Sequence, residues 1–285
     1  MKRHLLPTLL ISPCLVFAQF TDDFSDGNTS SSPRWLGDTL SFIVTSGQLQ
    51  LHAPPVAGAS FLVTPSAAIF KASWEWWFEF GFNPSSSNLS RIYLTSDSPN
   101  LNGPLNGYFV MAGNTADEVS LYRQTGTAIE KLIDGMDGRL NYATVRARIR
   151  VETDEDGTWT LAVDTGPAGP TGTFVTEGSV QDTRHQLSGW FGVRCQYTAT
   201  RSDKFRFDDI RVTGSMYPDR VPPEIDSVRV ADAHTIVLRY TEPVDKAASQ
   251  PEQYRFIGSE NITVSVTATE DGNYQLAVNP PLVNG

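Results

Sequence analysis

Histidine, cysteine and basic side chains are all scarce in this chain, and each scarcity removes a class of function. Four histidines, at positions 4, 52, 185 and 234, are scattered over 285 residues. They show no His-x-x-x-His or Cys-rich spacing, so neither a zinc centre nor a Ser-His-Asp triad is supported. Only two cysteines occur, Cys14 and Cys195, and Cys14 falls within an N-terminal leader. The mature chain is therefore left without an intrachain disulfide, although an exported protein could have used one. Cys195 shares its strand parity with Val193 and Tyr197, which marks a buried thiol rather than a nucleophile. Lys and Arg number 22 against 32 Asp and Glu, for a net charge of −10. Nucleic acid and anionic membranes are poor partners for such a surface.

The leader reads as an export signal. Lys2, Arg3 and His4 give a positive start, Leu5 to Phe17 an apolar centre, and Val16-Phe17-Ala18 a small-residue cleavage site before Gln19. Pro7 and Pro13 interrupt a segment already too short to span a bilayer. We expect residues 1–18 to be removed and the mature chain to be extracellular or on the outer cell surface, with no membrane insertion. Pro13 before Cys14 argues against a lipid anchor. Loss of Lys2 and Arg3 takes the net charge to about −12.

No long stretch holds a 3.6-residue apolar period, whereas period-two alternation recurs throughout. Trp74, Trp76, Phe78, Phe80 and Phe82 fall on one face of a strand, with Glu75, Trp77 and Glu79 on the other. Further strands are predicted at 91–95, 107–112, 119–123, 144–152, 158–163, 190–197 and 204–212. Asp154-Glu155-Asp156-Gly157 opens like a calcium loop, but strand residues follow where ligands should stand, so it reads as a hairpin turn. The fold class is all-β: a jelly-roll β-sandwich over 19–216, a proline-rich linker at 217–223, and an immunoglobulin-like β-sandwich over 224–285. Five short alternating strands make up the second module, around Val228, Leu238, Tyr254, Val264 and Leu276. With fewer residues than the roughly 100 of a complete immunoglobulin-like domain, it is expected to be truncated, within a longer polypeptide.

Phe20 to Asn28 with Trp35 to Asp38, Phe82 to Asn88 with Leu105 to Phe109, and Tyr197 to Ile210 together resemble the N-terminal region of large exported Bacteroidota proteins that carry lamin-tail domains. Val145 to Asp164, with Arg150, Gly157, Trp159 and Asp164, resembles laminin-G and concanavalin-A-like jelly rolls. Pro222 to Ile225, Tyr240 to Asp245 and Gln253-Tyr254 are similar to bacterial immunoglobulin-like modules. The resemblance implies surface-bound or secreted proteins.

Three kinds of site follow from the residues. Catalysis of the glycosidase type needs two carboxylates roughly 5–9.5 Å apart. Glu75 and Glu79 share a face but stand four residues apart, roughly 13 Å at about 3.3 Å per residue, so no enzyme activity is expected. Asp22, Asp23 and Asp26 near the start of the first module, and Asp208 and Asp209 near its end, would converge if first and last strands pair. They form a candidate structural Ca2+ site, against the alternative that they cap turns and hold a bulge. The bulge is suggested because Phe205 and Phe207 share one parity and Ile210 and Val212 the other.

The third is a carbohydrate-binding face. Trp35, Trp77, Tyr93, Tyr108, Tyr122 and Trp190 could supply platforms, and Asn83, Asn88, Asn102 and Asn106 amide contacts. Trp77, Tyr93, Tyr108, Asn88 and Asn106 are the chosen candidates, Trp77 being the aromatic most expected at the surface. The expected function is non-catalytic display, adhesion or binding of a surface glycan or protein ligand. An accessory module of a larger secreted hydrolase, or a structural spacer, stands as the alternative.

Overall fold

Alternating apolar residues make strands wherever one face can be buried, and the tryptophan-rich segment shows this directly. In the computed structural model, Trp74, Trp76, Phe78 and Phe80 are buried while Glu75, Trp77 and Glu79 are only half-buried. Residues 18–218, 223–242, 244, 249–254, 263–269 and 273–282 are described. The leader before Ala18, and Phe256 of the strand predicted around Tyr254, third of the five in the second module, lie outside them. The chain divides into two compact units, the first ending at Pro218.

In chain order the first unit contains β1 Ala18–Asp22, β2 Leu36–Gly37, β3 Phe42–Thr45, β4 Gln48–Leu51, β5 Gly58–Pro65, β6 Phe70–Phe80 and β7 Leu89–Ser96. It continues with β8 Leu105–Gly113, β9 Glu118–Gly126, β10 Ala128–Ile133, β11 Val145–Thr153 and β12 Thr158–Thr165. Then come β13 Val175–Gln181, β14 Trp190–Tyr197 and β15 Phe205–Ser215. Strands of the second unit are β16 Ile225–Asp232, β17 Thr235–Tyr240, β18 Thr263–Ala268 and β19 Tyr274–Asn279.

Two antiparallel sheets form the first unit. The eight-stranded sheet runs β13-β12-β11-β6-β15-β4-β3, with β1 also on β15, and the seven-stranded sheet runs β10-β9-β8-β7-β14-β5-β2. Their facing surfaces enclose an aromatic core in which Trp74 stacks on Trp159 at 5.5 Å and Phe80 on Phe82 at 5.3 Å. First and last strands pair, as the sequence led us to expect: Asp22 lies opposite Ile210 and Phe20 opposite Val212.

The parity change in β15 is a bulge. Its register against β6 shifts between Asp208 and Arg211, and Asp209 takes a positive φ of 51°. One extra residue turns the strand over, so Phe205, Phe207, Ile210 and Val212 all reach the same core. The bulge also marks where β15 changes its edge partner, from β4 at Arg206 and Phe207 to β1 from Ile210 onward.

Among its described residues the second unit is one antiparallel sheet, β16-β17-β19-β18. Ile236, Leu238, Tyr274, Leu276 and Val278 form its buried cluster.

Candidate functional site

The outer face of the seven-stranded sheet is unusual because it carries a second apolar cluster. Leu89, Tyr93, Phe109, Met111 and Tyr122 are buried there, with Phe61 and Trp190 packed beside them. Alternation places them: in β7, Leu89, Arg91 and Tyr93 point outward, while Ile92 and Leu94 join the main core. In β14, Phe191, Val193 and Cys195 enter the core, which leaves Gly192, Arg194 and Gln196 on the outer face. The segment between β7 and β8 folds over this surface, and its Leu101 is buried against Gly192.

Beside that segment is a recess of about 220 Å³, lined among others by Arg91, Tyr93, Asn102, Gln124 and Arg194. Its polar groups are held in place. The Tyr93 hydroxyl donates to Gln124 Oε1 at 2.8 Å, and Gln124 Nε2 donates to the Gly126 carbonyl at 2.8 Å. Arg194 Nε donates to Asn102 Oδ1 at 2.9 Å, and the Arg91 guanidinium lies 5.1 Å above the Phe109 ring. Burial raises the Tyr93 pKa, and the charge of Arg91 works against that rise. The phenol is neutral at physiological pH and serves as a donor.

The five binding candidates read from sequence do not assemble into one surface. Tyr93 lies beneath this recess. Tyr108 belongs to the main core instead: its ring lies 4.3 Å from Trp159, and its hydroxyl donates to Asp182 at 2.5 Å. A register shift between Tyr93 and Thr95 in the β7–β8 pairing accompanies this difference between the two tyrosines. Asn88 and Asn106 are spent on loop geometry. Asn88 Oδ1 accepts from the Thr198 amide at 2.8 Å, whereas Asn106 donates to Asp97 at 2.8 Å and accepts from the Gly126 amide at 3.2 Å. Trp77 is half-buried on the outer face of the opposite sheet, across from Arg148 of β11 and Asp208 of β15. Sequence reasoning missed Arg91, Arg194 and Gln124. The parity that puts Arg91 beside Tyr93 was there to be read, but the pairing of β7 with β14 was not.

The acidic residues at the two ends of the first unit do come to a common region. Asp22, Asp23, Asp26, Glu75, Arg148 and Asp209 are among those lining a wider cleft of about 560 Å³. Its polar groups, however, have partners. Asp22 is buried, accepting from Trp35 Nε1 at 2.8 Å and from the Phe24 amide at 2.9 Å. Burial raises the Asp22 pKa, and the bond from Trp35 draws it back down. Asp23 and Asp26 accept from the amides of Ser25 and Asn28, Asp208 accepts from the Asp209 amide at 2.7 Å, and Asp209 pairs with Arg148. Burial also raises the Asp208 pKa, with the Asp209 and Asp23 charges adding to it.

Glu75 and Glu79 are matched in the same manner. Arg146 meets Glu79 at 2.6 Å and Arg148 meets Glu75 at 3.2 Å. The turn at residues 154–157 is a hairpin, in which Asp154 accepts from the amides of Asp156 and Thr158 at 2.9 and 2.8 Å. Cys195 is fully buried, and burial pushes its thiol pKa up.

No family model and no curated protein matches the sequence. Solved structures do. The VIP36 exoplasmic/lumenal domain in its Ca2+/Man3GlcNAc-bound form matches with a TM-score of 0.53 and 13% identity, covering 73% of this chain and 92% of that one. Its Ca2+/Man2-bound form gives a TM-score of 0.52 at 14% identity, with the same coverage of 73% and 92%. At such identity the likeness establishes the fold, a β-sandwich of the lectin or jelly-roll type. Calcium in those forms invites a test of the residues here, and they do not fit. Among the described residues no group of three His, Cys, Asp or Glu side chains could hold a metal ion. The five candidate aspartates instead cap turns, anchor Trp35 and brace the bulge.

Proposed function

We propose that the first unit is an exported, non-catalytic glycan-binding module whose sugar site is the recess on the outer face of the seven-stranded sheet. The observation that carries this reading is the recess itself. Tyr93, Leu101 and Ile129 line it together with fixed amide and guanidinium groups of Asn102, Gln124, Arg91 and Arg194, a combination that suits a ring with one apolar face and hydroxyls at its edge. Support comes from the fold, whose solved neighbours include forms bound to mannose-containing sugars. The larger cleft at the acidic end is the weaker candidate because its carboxylates are already engaged by neighbouring groups. Non-catalytic action is supported by the pairing of Glu75 and Glu79 with arginines, which leaves neither carboxylate poised for acid–base work. Among the described residues no helix is long and apolar enough to cross a membrane.

A glycan array probed with the full mature chain tests the reading. Binding to a restricted set of glycans is expected, and Gln124→Ala and Asn102→Ala should each weaken it by about tenfold, as for loss of a hydrogen bond inside a binding site. Failure to bind any glycan on a broad array would overturn it.

A further inference from the structure

Arg91 and Arg194 stand directly opposite each other on the adjacent strands β7 and β14, both on the face that holds the recess. Like charges in that position oppose pairing of the strands. Five other arginines of the first unit are answered by acids: Arg123 meets Glu130 and Asp182, Arg139 meets Glu177, and Arg146, Arg148 and Arg150 of β11 each meet a glutamate of β6. Among the described residues no carboxylate lies within ion-pair distance of Arg91 or Arg194, in a chain whose acids outnumber its bases. Nor are these arginines free in water. Arg91 Nε and Arg194 Nη1 are shut off from solvent and have no hydrogen-bond partner. Burial pushes the Arg194 pKa down, and the charge of Arg91 pushes it the same way. Two cations have been brought together, partly desolvated and left without a counter-charge.

We propose that the recess receives an acidic sugar, with its oxyanion, a carboxylate or a sulfate ester, held between the guanidinium groups of Arg91 and Arg194. This deepens the glycan-binding reading and rests on it. The anion would relieve the repulsion between the two arginines and supply the counter-charge they lack. The guanidinium fork suits the planar, two-oxygen edge of such a group. Asn102 steers the Arg194 fork, and the Phe109 ring seats Arg91. A recess of about 220 Å³ admits a single sugar ring rather than a long chain.

The test is an array of matched glycans, each neutral member paired with a uronate-bearing, a sialylated and a sulfated counterpart, probed with the full mature chain and with Arg194→Gln and Arg91→Gln. Acidic members are expected to bind at least about tenfold more tightly than their neutral partners, and either substitution should remove most of that preference. Preference for carboxylated or for sulfated members alone would identify the oxyanion. The same substitutions should leave the thermal midpoint unchanged or raise it, since they remove repulsion within the sheet. Neutral and acidic members bound equally would overturn this inference and leave glycan binding standing. No member bound at all would overturn both. Variants that melt early yet keep the full preference for acidic members would make the arginines structural, and the proposal would fall.

Discussion

Asp22 shows how a residue that reads as a ligand can be a structural anchor. Its two carboxylate oxygens are divided between the Trp35 indole and the Phe24 amide, and both aromatic residues are buried. Replacing it with alanine would leave the indole N–H unsatisfied in the core, at a cost of about 2 kcal/mol. We expect Asp22→Ala to lower the urea midpoint of the first unit accordingly, while Asp23→Ala, on an exposed turn, shifts it by less than about 0.5 kcal/mol. Equal effects would show that the pairing with Trp35 contributes little. Much at this scale was legible from the chain: the inert Cys195, the inward row from Trp74 to Phe82 and the bulge at Asp208 and Asp209, whereas Trp77, expected at the surface, is half-buried. What each aspartate touches was not, because an Asp-x-Ser turn and a metal-ligand cluster are written with the same residues.

Among the strands of the first unit, most of the long ones with a buried face were readable, whereas β5, although it lies inside the seven-stranded sheet, and the strands at the margins were not. β7, β8, β9, β11, β12, β14 and β15 lie within a few residues of their expected positions. The polar edge strands β10 and β13 were missed, because exposure there removes the apolar alternation that a sequence reading depends on. The short β3–β4 hairpin also escaped notice, being only four residues on each side. The recess was illegible for a related reason: it depends on β14 lying beside β7, two strands about 100 residues apart in the chain.

Gly192 is the element-level key to that recess. A Cβ placed there would come within 2.6 Å of Leu101 Cδ1 and 2.8 Å of the Leu62 carbonyl. Gly192→Ala should therefore displace the segment from 97 to 104, cost about 1–3 kcal/mol by overpacking, and open that segment to limited proteolysis. A segment as resistant as in the unmodified chain would show that Leu101 does not hold it down.

For the molecule as a whole, the likeness to a calcium-bound neighbour meets a chain among whose described residues no group of three acids, histidines or cysteines could hold a metal ion, and a measurement separates the two. Thermal unfolding in millimolar calcium and in chelator is expected to give midpoints within about 1 °C of each other, since an ion that binds only the folded state would raise the midpoint by mass action. A rise of several degrees, removed by Asp208→Asn, would restore a metal to the acidic cleft. Cys195 has a use that follows from its burial. It sits in β14 at the centre of the sandwich with no solvent contact, and once residues 1–18 are absent it is the sole thiol. A thiol-labelling reagent can reach it only when the two sheets part. The labelling rate then reports how often the native sandwich opens, without an engineered probe.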